Sequence, residues 1–229
     1  MKGWTSFRST VTPAGICEVV AKTQDPRVSG RRGGWGFVSD RPSENGAVEA
    51  DDVLGELRTE HEFVQPLLER LVELGNRTAA GESVEPKTML IGVALLDAYL
   101  HRVHVSQEDR ELMPEAEEVA MPACTVHLGD MKTNHSEMCD HAQRVIRDIR
   151  RWAAGEKSIS FHVGKEVVEL ASKDYDAMQF EDTFALNCLQ AELPETASQR
   201  LAARLAEHEG TRRALEGRIR RFLAGTYTT

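Results

Sequence analysis

The stretch HRVHVSQEDRELMP, residues 101–114, places two histidines and a glutamate along what should be the apolar face of a helix. At about 3.6 residues per turn, His101, His104, Glu108 and Leu112 recur every three or four positions and fall near one line. Upstream the same line continues through Met89, Val93, Leu96 and Leu100, so the spacing predicts a helix over 86–113 ended by Pro114. A buried carboxylate costs several kcal/mol unless it is paired, protonated or bound to a cation. Its company on the other helices therefore matters.

Four further amphipathic segments flank it. The first, 51–75, aligns Leu54, Leu57, His61, Val64, Leu68 and Leu71, with Pro66 as an expected bend and Gly75 as an expected stop. A loop with Pro122 and Gly129 leads to the third, 130–154, whose face is Met131, His135, Met138, Ala142, Val145, Ile149 and Trp152, closed by Gly155. The fourth, 160–192, carries Val163, Val167, Leu170, Asp174, Ala177, Glu181, Phe184 and Cys188 before Pro194. The fifth, 197–224, shows Leu201, Leu205, Leu215, Ile219 and Phe222 beneath an arginine-rich face. No strand pattern of comparable length competes with these. The expected class is all-α, an up-down-up-down four-helix bundle with an extra C-terminal helix.

Residues 1–50 contrast with the rest: Gly3, Pro13, Gly15, Pro26, SGRRGGWGF and DRPSENG interrupt any periodicity, and an irregular N-terminal extension is expected there. The helical domain then covers 51–226. A net charge of −9 argues against a nucleic-acid-binding surface, because phosphates are gripped by an excess of Lys and Arg. No run approaches the ~18 apolar residues of a membrane span and no signal-peptide core opens the chain, so a cytoplasmic protein without a membrane partner is expected. Cys17, Cys124, Cys139 and Cys188 follow no regular spacing, and reduced thiols are the expectation. Oligomeric state is not legible.

Three bundle helices thus carry a histidine on the apolar face, His61, His104 and His135, and two carboxylates, Glu108 and Glu181, occupy corresponding positions. Taken singly, each histidine has an ordinary reading as a core residue bonded to a backbone carbonyl. Together they form a mixed nitrogen and oxygen donor set of the kind that bundle cores use for one or two metal ions. Iron is the expected metal, with manganese and zinc behind it.

Four pieces then carry a resemblance to the hemerythrin-like, or histidine-histidine-glutamate cation-binding, family: LRTEHEFVQPLLERL, HVSQEDRELMP, MKTNHSEMCDHAQRVI and AMQFEDTFALNCLQAELP. The resemblance spans about residues 51–210. It implies His61, His104 and His135 as terminal iron ligands and Glu108 and Glu181 as bridging carboxylates of a two-iron centre. It also implies a small-molecule partner such as oxygen or nitric oxide, or a role in handling iron. The family's fourth-helix HxxxE pattern would need histidine at 177, where this chain has Ala177, so one ligand is missing: two irons are the expectation, the second under-coordinated with an open position, and a single iron is the alternative. Asp174, one turn earlier, and His101 are the candidate replacements, and Asp109 and Asp182 are expected to orient the histidine rings. His162 with Glu166 reads as a helix-surface pair, and Cys139 and Cys188 as small hydrophobes. Three functions stay open: a binding or sensing protein, an iron-dependent oxidase or oxygenase using an open position near Ala177, or a metal-free interaction protein. No catalytic residue can be named from the sequence.

Overall fold

The computed structural model describes residues 52–119 and 124–227. These belong to one unit, Val48–Thr229, and the expectation for residues 1–50 lies outside them. The described residues are helical, with no strand among them. None of the helices is long and apolar enough to cross a membrane.

The first helix, α1, is Asp52–Ala79. It runs past Gly75, which does something other than stop it. A Cβ on Gly75 would lie 2.7 Å from the carbonyl oxygen of Gly164, and one on Gly164 would lie 2.6 Å from the oxygen of Gly75. The two glycines let two helices touch backbone to backbone. The stop falls instead at Gly81, whose φ of 80° suits glycine, with Glu82 N–H closing onto the carbonyl of Arg77.

The second helical run, α2, is built from Pro86–Leu96, a π-turn at Asp97–His104, Val105–Gln107, a second π-turn at Glu108–Leu112, and Met113–Glu118. Pro114 was expected to end it and does not. Met113 donates to the carbonyl of Glu108, five residues back, so Pro114 enters in the first turn of a renewed α-segment, where a missing N–H costs least. The third helix, α3, is Thr125–Ala153, one turn longer at its start than periodicity suggested, and it closes at Gly155 with φ 108°. The fourth, α4, runs from Ser160–Phe180 through a π-turn at Glu181–Ala185 into Leu186–Glu192. That π-turn inserts a residue into the helical count and rotates the face beyond it. Phe184, expected inside, is therefore 50% exposed, and Cys188 is half-buried, while Ala185, Leu186 and Leu189 are buried in their stead.

The expected fifth helix is two: α5, Glu195–Leu205, and α6, Glu209–Leu223, separated by a 3-10 turn at Ala206–His208. The break matches the gap in apolar residues between Leu205 and Leu215.

Side-chain partners show how the long helices run. Glu60 reaches His104 while Leu71 lies at Gly92, so α1 and α2 are antiparallel. Asp97 pairs with Gln143 and Asp109 with His135 between α2 and α3, and His135 meets Glu181 while His141 meets Glu166 between α3 and α4. His61 meets Glu181 and Gly75 meets Gly164 between α1 and α4.

The core falls into two apolar clusters. One gathers Val64, Leu68, Leu71, Val93, Leu96, Leu100, Val145, Ile149 and Leu170, covered by Leu215, Ile219 and Phe222 of α6. The other gathers Leu54, Leu57, Leu112, Met131, Ala185 and Leu189, covered by Leu201 and Leu205 of α5. Between Leu57 and Val64, Leu100 and Leu112, Met131 and Met138, and Met178 and Ala185 lie the histidines and glutamates read from the sequence.

The cysteine expectation is corrected at this second cluster. Cys124, at the start of α3, is bonded to Cys188 of α4, with Cα atoms 5.7 Å apart. Sequence spacing says nothing of such a pair, because 64 residues separate the two and only the antiparallel packing brings them together. Among the described residues Cys139 is the free cysteine.

Candidate metal centre

His61, His104, Glu108, His135 and Glu181 form the polar layer, each at most 2% exposed. Their inner atoms converge. His61 Nε2 is 2.8 Å from His104 Nε2 and 3.2 Å from Glu181 Oε2. His104 Nε2 is 3.4 Å from Glu108 Oε2. His135 Nε2 is 3.3 Å from the same Glu108 oxygen and 3.1 Å from Glu181 Oε1. One ligand atom each of His61, His104, Glu108 and Glu181 lies within 4.8 Å of the others, a spacing one cation can bridge; His135 stands outside that group of four, against its two carboxylates.

The outer edges of the three rings are anchored in the same way. Nδ1–H of His61 donates to Asp182 at 2.9 Å, that of His104 to Glu60 at 2.8 Å, and that of His135 to Asp109 at 2.8 Å. A carboxylate can only accept, so each Nδ1 carries a proton; the inner Nε2 of His135, 3.1 Å from Glu181, donates as well in the absence of an ion, and with a cation bound each Nε2 would offer its lone pair instead. This outer carboxylate on a ligating histidine fixes the ring's tautomer and angle and raises its basicity. Asp109 and Asp182 stand where the sequence suggested. Glu60 and its own partner Arg212, 2.9 Å away, were missed, because Glu60 sits on the flank of α1 and meets His104 only across the helix interface.

The charges follow from burial set against these contacts. Burial opposes charge on the imidazoles, but the carboxylates prevail: His135 is pushed up to about 12 by Asp109, Glu108 and Glu181. His104 is raised well above its ordinary value and His61 is raised. Burial would lift the Glu108 carboxyl, yet His104 and His135 hold it far below the usual carboxylate range. The layer demands positive charge, which protons on the inner nitrogens or a divalent cation among them can supply. Neither oxygen of Glu108 makes a close hydrogen bond; Oε2 keeps only its longer ion-pair contacts of 3.3 and 3.4 Å with His135 and His104.

His101 and Asp174 are placed against each other. His101 Nε2 donates to Asp174 Oδ2 at 3.1 Å, and Asp97 lies 3.6 Å from the other ring nitrogen. Both are buried and neither belongs to the group of four. Asp174 raises the His101 pKa to about 9 against the opposing effect of burial. Ala177 is buried and lines a pocket of about 420 Å³ between α3 and α4, together with Asn134, Met138, His141 and Phe180. His162 and Glu166 make a surface contact at 3.8 Å. No family model, no curated protein and no solved structure matches this chain.

Proposed function

We propose that this chain is a hemerythrin-like non-heme iron protein whose four antiparallel helices form an up-down-up-down bundle around the polar layer. His61, His104, Glu108 and Glu181 hold one ion. His135 reaches the second oxygen of Glu181 and shares Glu108 Oε2 with His104, and it would be the single histidine toward a second ion, since Ala177 brings no donor. The observation that carries this reading is the matched set of outer carboxylates on converging rings: three inward-facing histidines, each held by its own acid and turned toward two shared glutamates, is the arrangement in which ligating histidines are oriented.

Iron, if held there by these residues, would supply reversible binding of oxygen or nitric oxide. The chain's own part is to hold the rings in one tautomer, to exclude bulk water with Leu57, Leu112 and Met131 on one side and Leu100 and Met138 on the other, and to neutralise the cation with two buried carboxylates. The reading is tested by purifying the protein after growth with added iron and counting metal per chain, alongside His104→Ala and Glu181→Ala. One or two irons per wild-type chain and loss of metal in both variants are expected. A wild-type protein without iron or manganese refutes it.

A further inference from the structure

All five layer residues are closed to solvent, so an ion needs a way in. The pocket between α3 and α4 offers one. Its wall holds Met138 and Ala177, each about one turn from His135 and Glu181 on the same helices, and Asn134 and Phe180, their immediate neighbours. Three acids line it, Glu137, Asp140 and Asp176, and no ion pair holds any of them among the described residues. Two cations also line it. One, Lys173, is engaged with Glu169 at 2.8 Å, and the other is Arg144.

A second observation separates this from an ordinary acidic surface. His141 lines the same pocket at only 3% exposure; its Nε2 lies 3.1 Å from Glu166 Oε2, and its Nδ1 has no hydrogen-bond partner. A buried imidazole nitrogen left unpartnered costs free energy unless something else meets it. Oxygen donors at the mouth, an amide at Asn134 and a spare imidazole nitrogen further in are the donor types that divalent iron, manganese and cobalt accept.

We infer that this pocket is the entry port of the metal centre, where Glu137, Asp140 and Asp176 collect a hydrated divalent cation and His141 takes it from them. The inference rests on the proposed function, and concerns how fast the ion arrives rather than whether the centre holds it. Acids around a concave mouth raise the local cation concentration and the on-rate by ~10- to 1,000-fold, an effect that fades with salt.

The test uses the full chain and cobalt(II) alone, followed by visible absorption after rapid mixing at low ionic strength. Glu137→Gln, Asp140→Asn and Asp176→Asn together are expected to slow loading by ~10-fold or more, with cobalt per chain at the end unchanged. Arg144→Glu is expected to speed it. A control that neutralises Glu117, Glu118 and Glu195, exposed acids elsewhere on the protein, is expected to load within about twofold of wild type. A wild-type rate in the triple variant, or an equal slowing in the control, overturns the port. A wild-type chain that takes up no cobalt at the endpoint overturns instead the metal-centre reading on which the port rests.

Discussion

Removing the carboxylate behind one histidine separates the roles of two rings that look alike. Asp182 accepts from His61, a member of the group of four, and Asp109 accepts from His135, which stands outside it. A hydrogen bond with one charged partner contributes about 1.5–3 kcal/mol. The Asp182 side chain is 26% exposed, and partial screening by water puts its share near the lower end, ~1.5–2 kcal/mol. If that energy acts on the ring's fitness as a ligand, Asp182→Ala weakens the first ion by about 10- to 30-fold. Asp109→Ala, which loosens only His135, is expected to change that first affinity by less than about threefold. Competition for iron(II) or cobalt(II) against a coloured chelator at pH 7 measures both, and thermal melting of the metal-free proteins checks that each variant folds. Equal losses in the two variants would make His135 a ligand of the first ion and refute the division of the layer. A first-ion affinity within threefold of wild type in Asp182→Ala would refute the role given to the outer carboxylates.

Two other outcomes follow from the packing and the charges. Gly75→Ala or Gly164→Ala pushes α1 and α4 apart and should lower stability by about 1–3 kcal/mol, whereas Gly55→Ala, with nothing within 4 Å of the added methyl, should gain about 0.5–1 kcal/mol; denaturant midpoints decide both. His101, raised to about 9 in the fold against an ordinary 6.5 because burial is outweighed by Asp174 and Asp97, stabilises the protein fully below pH 6.5, and that contribution fades as pH climbs toward 9. The stability difference between wild type and His101→Asn, measured across that range, should shrink with rising pH, and a constant difference would contradict the assignment.

Much of the layer was legible because a histidine or glutamate breaking an apolar row is visible wherever the row is regular. His61, His104, Glu108, His135 and Glu181 all fell on such rows. What escaped has two physical origins. Residues that act across an interface from a helix flank, such as Glu60, carry no mark of it in their own spacing. Helices whose hydrogen bonding widens shift phase: beyond Glu181 the inserted residue turned Phe184 outward, and before Pro114 it let the helix pass a proline. Gly75 was misread for a related reason, since a glycine that ends a helix and a glycine that admits a neighbour look the same until the neighbour is known. The Cys124–Cys188 bond is likewise a property of packing.

The polar layer that parts the two apolar clusters also bears on cooperativity. A domain unfolds as one unit when its halves share buried apolar contact, and here the shared surface is made of imidazoles and carboxylates. With a cation held by α1, α2 and α4 at that level, the halves should melt together. Without one, the end that contains Leu54, Leu112, Met131, Leu189 and α5, stapled by Cys124 and Cys188, is expected to open at a lower free energy than the larger cluster, which hydrogen exchange of the metal-free protein would show.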